Sequence, residues 1–406
     1  MQSSITRHPI FDENTELYAY ELLFQDNLDN IIKETDESSS SVIAESFFSS
    51  TGVDKLTEGK RAYLTFTEKL ILDRIPLMCP LESVIVGIAP EIKDTKNVLE
   101  ICKELHKKEY TIALNSFAFQ KELIPLLPYV RIVRVNFEQD SIEKIKQIME
   151  LLEKNAPDAV LFAEKVNTQY EHKQAQDIGF KFFQGGFFRK PETIEKKEIS
   201  TNLLNLVDIM KEISKTANDV NFDKVEALIN HDMGISYKLL RYINSAYYKR
   251  ATEISSIKQA LLMLGTDEIR RFVSVIMMSS MSADKPTELL KTACIRARFC
   301  ELLAKDNERK DAQALYTLGM FSLIDAILDQ SMQDIMTQLP LATNLIDALA
   351  NREGEMSAFL ILLESYEDGN WDGVEDSAGS LSLNDENIPV LYMEACDWAN
   401  PDDVIG

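Results

Sequence analysis

Up to about residue 190, short apolar runs alternate with longer segments whose apolar positions recur at helical spacing. Strand-like runs rich in β-branched and aromatic residues fall at 18–24, 62–66, 83–88, 110–114, 130–135, 159–163 and 180–183. Charged segments of helical periodicity lie between them, as at 97–108 and 142–152. Strands that alternate with helices pair in parallel through right-handed crossovers. Seven or eight such units in about 190 residues suit a closed β/α barrel better than two open sheets. An opening run at 5–11, followed by Asp12-Glu13-Asn14-Thr15, predicts an extra strand and turn leading into the first barrel strand.

The pattern changes at Pro191. Residues 191–202 are polar and charged, as in a linker or linking helix, and strand signals then disappear. Leu203, Val207, Met210 and Ile213 share one helical face; Leu239, Leu240 and Ile243 share another. Ser256 with Gln259 forms a capping box, Gly265 stops the helix that follows, and Thr266-Asp267-Glu268 starts the next with acids in its first turn. The expected fold is α/β plus all-α: a (β/α)8-type TIM barrel over 1–190, then an all-helical domain over 203–406.

Composition adds limits. The 406 residues suffice for two cores, and no apolar run approaches the ~20 residues of a membrane span. With no signal-peptide core behind the N-terminus, the expected location is cytoplasmic, away from membranes. Cys79, Cys102, Cys294, Cys300 and Cys396 are scattered without a CxxC pair, as buried thiols would be. A net charge of −23 disfavours nucleic acid and weakens capture of any anionic ligand without a local basic pocket. No Lys or Arg follows Arg352, so the C-terminal segment presents an acidic face, solvated or docking a partner.

Candidate chemistry sits where strand runs end: Tyr20-Glu21-Leu22-Leu23-Phe24-Gln25, Asn115-Ser116-Phe117-Ala118 and Ala163-Glu164-Lys165-Val166-Asn167. Together with Arg7-His8-Pro9-Ile10-Phe11-Asp12 and Phe183-Gln184-Gly185-Gly186-Phe187-Phe188-Arg189-Lys190-Pro191, these resemble the EAL family of cyclic di-GMP phosphodiesterases in order and spacing. The resemblance implies a metal-dependent barrel that cleaves a phosphodiester with two ions roughly 3.5–4 Å apart. Hard divalent ions need several oxygen ligands converging at the strand ends. Carried over position by position, Glu21, Glu164 and Gln184 are retained. Gln25 stands for the family's arginine, Thr65 for its asparagine, and Gly87 and Pro90 for acids. Asn115 and Ser116 replace the DDFG acids, Arg134 and Asn136 the lysine and aspartate of KxD, and Asn167 the second acid of AExVE. An amide offers a metal one neutral oxygen and no charge. The expectation is therefore no metal, no cofactor and no enzyme. Arg134 either compensates for the missing arginine or pairs with Glu21 or Glu164.

The second half resembles HDOD domains through Asp232-Met233-Gly234-Ile235-Ser236-Tyr237-Lys238-Leu239-Leu240-Arg241-Tyr242-Ile243-Asn244-Ser245 and 254–265, with Asp232, Leu239, Leu240, Asn244, Ser245, Ser256 and Gly265 as its signature. EAL-like then HDOD-like is the order of YuxH-type signalling proteins. His231-Asp232 also has the form of a metal-binding doublet, but the other histidines, His8, His106 and His172, all lie in the barrel half; Asp232 is expected to cap a helix. Asn244 is expected to satisfy backbone groups in a helix–helix turn. Met263, Met277, Met278 and Met281, and a cluster including Tyr237, Tyr242, Tyr247 and Tyr248, fit core packing or a partner groove. The expected function is a catalytically inactive regulator that binds protein partners through its HDOD half in cyclic di-GMP-linked motility or biofilm behaviour, with homodimerisation open. The alternatives are a non-hydrolysing cyclic di-GMP receptor and an active metal-dependent phosphodiesterase.

Overall fold

The computed structural model describes residues 4–25, 57–117, 119–191, 201–213, 220–244, 254, 256–281, 285–339 and 341–399. The chain divides into two compact units, Met1–Phe188 and Arg189–Gly406. Most of the 191–202 linker, Ala118, Ser245, Tyr247 and Tyr248 lie outside the described residues.

The first unit is a closed barrel of eight strands in sequential order. These are β1 (Ser4–Asp12), β2 (Leu17–Gln25), β3 (Arg61–Phe66), β4 (Val84–Ile88), β5 (Thr111–Leu114), β6 (Ile132–Asn136), β7 (Val160–Glu164) and β8 (Phe182–Phe183). Strands β2 to β8 run parallel. Strand β1 runs against both neighbours and closes the ring, with Phe11 opposite Phe183 and His8 opposite Glu21. It is therefore a full stave rather than a lead-in. Its antiparallel run into β2 has a local cause: Asp12 Oδ1 accepts hydrogen bonds from the Asn14 and Glu16 amides at 2.8 and 2.9 Å, closing a turn too short for a crossover.

Amphipathic helices follow where polar faces meet solvent. Asp94 and Ser141 cap the helices α1 (Thr95–Lys107) and α2 (Ile142–Asn155), and Thr168 with Glu171 builds a full capping box on α3 (Gln169–Ile178). Inside the ring, Ile10, Ala19, Tyr63, Ile85, Ala113, Ile132 and Phe162 form one apolar layer.

The second unit is helical throughout its described residues. Asp232 caps α6 (Met233–Ile243), following α4 (Thr201–Ile213) and α5 (Phe222–Asn230); its Oδ1 accepts from the Gly234 and Ile235 amides at 2.8 and 3.1 Å. Leu239 is fully buried and Leu240 half-buried. The Asn244 amide donates to the Leu240 and Ile254 carbonyls and accepts from the Ile254 amide, each at 2.8 Å, so it ties the end of α6 to the approach of α7 (Ile257–Met281). Ser256 Oγ accepts from the Gln259 amide, and Gly265, at φ 73° and ψ 173°, breaks α7 where the sequence predicts a stop.

Helix α8 (Thr287–Asp306) is buried along nearly its whole length and still carries charge. Arg296 donates to Glu367 through Nε at 2.9 Å and Nη2 at 2.6 Å, and through Nη1 to Ser322 Oγ at 3.1 Å. Burial would raise the Glu367 carboxyl, but the Arg296 charge and hydrogen bonds outweigh it and hold the group below the usual carboxylate range. Cys79, Cys102, Cys294 and Cys300 are buried, and burial pushes each thiol up to about 12. None of the described helices is long and apolar enough to cross a membrane.

Two outcomes follow. Replacing Asn244 by Ala orphans backbone groups around Ile254 and should cost about 2 kcal/mol in denaturant unfolding; an unchanged midpoint would rule the tie out. A carboxyl held low in the folded chain adds stability above its unfolded pKa and loses it as pH falls towards its folded value. As pH falls below about 5, wild-type melting should therefore drop more steeply than that of Glu367→Gln; parallel slopes would contradict the assignment.

Candidate functional site

Side chains alternate across a strand, so positions two residues apart share a face. Moving two residues toward the C-terminal end from the apolar layer at Ala19, Tyr63, Ile85, Ala113, Ile132, Phe162 and Phe182 gives Glu21, Thr65, Gly87, Asn115, Arg134, Glu164 and Gln184. Register thus collects one position from each of β2, β3, β4, β6 and β7, and the residues just after β5 and β8, into a single polar layer at the barrel mouth. This is the end at which β/α barrels carry their sites.

Arg134 sits at the centre. Its Nη1 and Nη2 donate to Glu21 Oε1 and Oε2 at 2.6 and 2.9 Å, and Nη2 also donates to Gln184 Oε1 at 2.6 Å. Its Nε lies 2.6 Å from Glu164 Oε2, an ion contact in which no aligned hydrogen bond forms. Below, the guanidinium carbon is 5.3 Å from the Tyr63 ring centre and 5.0 Å from that of Phe162. Arg134 therefore pairs with both retained glutamates, and all these polar side chains are buried. Burial alone would raise Glu21; the Arg134 charge and hydrogen bonds, with help from His8 across the β1–β2 pairing, hold it below the ordinary carboxylate range.

A second chain of contacts crosses the other side. The Tyr63 hydroxyl donates to Asn115 Oδ1, and Asn115 Nδ2 donates to Thr65 Oγ1 at 2.9 Å. Burial, as the larger effect, pushes the Tyr63 phenol well above its usual range, so it remains a neutral donor. Ser116 Oγ, on a residue with φ 44°, donates to Glu164 Oε1 at 3.0 Å. Thr65 is exposed, so solvent reaches the mouth there.

The outer positions serve the loops. Asn136 Oδ1 accepts from the Glu138 and Gln139 amides, and Asn167 Oδ1 from the Gly186 amide. Pro90 is half-buried in the loop after β4, and the Gln25 side chain lies outside the described residues. Tyr63 escaped the sequence reading. Its signal was position: two residues before Thr65 on one strand, it must share the inward face. It also explains Gly87. A Cβ there would come within 2.7 Å of Tyr63 Cε1 and 3.1 Å of the Leu64 carbonyl oxygen, so the aromatic ring occupies the space of a side chain at 87.

The fit to a divalent metal is poor. Among the described residues no group of three or more His, Cys, Asp or Glu could hold an ion. Glu21, Glu164 and Gln184 do converge, but on a guanidinium. In the helical unit, Met277 and Met278 are buried core residues, Tyr242 is half-buried, and Met233, Tyr237, Leu262 and Met263 are exposed.

An HDOD-domain family model matches residues 203–354. The cyclic di-GMP phosphodiesterase CdgJ of Vibrio cholerae is 33% identical over 399 residues, spanning 97% of this chain and 92% of CdgJ. The uncharacterized protein YuxH of Bacillus subtilis is 31% identical over 410 residues, 98% of each chain. Among solved structures, an EAL domain protein from Listeria monocytogenes EGD-e aligns over 46% of this chain and 87% of its own, at 10% identity and a TM-score of 0.38. CdgJ corrects one expectation. Counting substituted acids led to the conclusion that the chain is not an enzyme; a relative aligned over nearly its full length is named a phosphodiesterase, and that conclusion is withdrawn.

The contact between Tyr63 and position 87 is directly testable. Gly87→Glu, which introduces an acid, overfills the mouth and should lower stability by about 1–3 kcal/mol. Adding Tyr63→Ala should recover part of the loss. A Gly87→Glu chain as stable as wild type would show that the ring does not fill this space.

Proposed function

The chain belongs to the family of CdgJ and YuxH, in which an EAL-type barrel precedes an HDOD domain, and from that premise we propose that its barrel mouth recognises cyclic di-GMP. One observation carries this reading: a single inward-facing layer gathers a guanidinium, a threonine hydroxyl and two side-chain amides at the strand ends, with the Tyr63 hydroxyl beneath and Ser116 beside it, in a chain whose overall charge repels anions. Guanidinium and amide groups donate hydrogen bonds of the kind phosphate oxygens and guanine edges accept. CdgJ's name supports the same ligand. Two buried carboxylates beside one guanidinium oppose a dianion, so affinity on the order of micromolar is expected rather than nanomolar.

Calorimetric titration of cyclic di-GMP into the whole protein, with and without Mg²⁺, and chromatography of the mixture for linear dinucleotide, tests the proposal. Heat of binding that weakens in Gln184→Ala supports it. Product formed in step with protein concentration would make the chain a phosphodiesterase, as CdgJ is named. Neither heat nor product sinks the proposal.

A second reading concerns the helical unit as an output half that engages a protein. Met233 and Tyr237 on α6 and Leu262 and Met263 on α7 are four large apolar side chains left in solvent, Met233 at 86% exposure. A photo-crosslinker placed at Tyr237 in cells should yield a discrete adduct absent when it is placed at the exposed polar Glu375. Matching smears at both positions would remove this reading.

A further inference from the structure

We propose that Arg134 is the resident cation of the barrel: its guanidinium fills the position where Glu21, Glu164 and Gln184 would otherwise hold a divalent ion. Four oxygens point at one group. Glu21 Oε1 and Oε2, Gln184 Oε1 and Glu164 Oε2 all lie 2.6–2.9 Å from guanidinium nitrogens. Among the described residues the guanidinium is the cation in contact with these oxygens, with His8 adding charge to Glu21 from across the β1–β2 pairing, and the three residues come from β2, β7 and the position just after β8.

The chemistry of the set fits a small hard cation. Mg²⁺ and Mn²⁺ accept carboxylate and amide oxygens and keep several waters, so two glutamates and one amide suffice as the protein share of a single site. A charge is required there in any case, because two buried carboxylates cannot remain ionised together without one. Arg134 meets that need with a covalently attached charge that cannot dissociate. The Tyr63–Asn115–Thr65 contacts occupy the opposite side and offer no carboxylate, so the latent site is for one ion rather than two. Removing the guanidinium should therefore expose a cation site that the wild-type chain does not offer. The proposal does not depend on cyclic di-GMP recognition, since the probe is the metal alone.

The experiment compares wild type with Arg134→Ala in a Mn²⁺ titration, reading free Mn²⁺ by electron paramagnetic resonance at physiological ionic strength, where weak binding to the acidic surface is suppressed. Arg134→Ala should gain one site at least about tenfold tighter than any in wild type. Its melting temperature should rise with Mn²⁺ while that of wild type stays fixed. Adding Glu164→Gln should abolish both gains. Equal Mn²⁺ binding by the two chains, or a gain that survives Glu164→Gln, overturns the proposal. Arg134→Ala leaves two carboxylates uncompensated, so its folded yield is compared in Mn²⁺ and in chelator. Recovery in Mn²⁺ but not in chelator supports the proposal, and failure in both overturns it.

Discussion

A guanidinium inside a barrel must be neutralised where it sits, and this requirement organises the polar half of the ring. Taking an ion out of water costs several kcal/mol even after relaxation, and only close, well-directed partners offset it. Arg134 has them: a bidentate glutamate, a second glutamate against Nε, an amide oxygen, and two aromatic faces beneath. Each partner is needed in turn by Arg134 or by another partner. Glu21 and Glu164 would be uncompensated without the guanidinium, and Ser116 secures the remaining Glu164 oxygen. The layer is thus one electrostatic unit rather than a set of separate substitutions.

The same solution recurs in the helical unit. Arg296 on the buried helix α8 is matched by Glu367 and Ser322, again with two hydrogen bonds to one carboxylate. Asn244 does for backbone groups what these pairs do for charges, meeting one acceptor from its own helix and both polar groups of Ile254. In each unit the apolar positions set the architecture, and a few buried polar groups with close partners restrict it to one arrangement.

Much of this was legible in the sequence because it is local. Apolar runs rich in β-branched and aromatic residues located seven of the eight strands, Asp232 announced a helix start, and Gly265 a helix break, each through chemistry confined to a few residues. The eighth strand was legible as a strand but not as a stave, since ring closure by β1 depends on pairing with β8, some 170 residues away. Tyr63 and the Arg296–Glu367 pair were missed for the same reason. An aromatic in a strand and an arginine in a helix look ordinary until a distant segment supplies the neighbour that gives them a role. The inference from lost acids to lost catalysis failed differently. It treated positions as independent and took one chemical solution as the only one available, and the relationship to CdgJ removes that step.

Interdependence also bears on how such a mouth changes in evolution. Restoring an acid at 87 collides with Tyr63, whose hydroxyl holds Asn115 in place of an acid at 115. Freeing Glu21 and Glu164 for a metal means removing Arg134, which leaves two buried carboxylates until an ion arrives. Single reversions therefore pass through states that are overpacked or carry unpaired charge, and both are costly. With an aromatic ring filling the space at 87 and a guanidinium neutralising Glu21 and Glu164, the network is self-consistent, and any chemistry the barrel performs has to work with that arrangement.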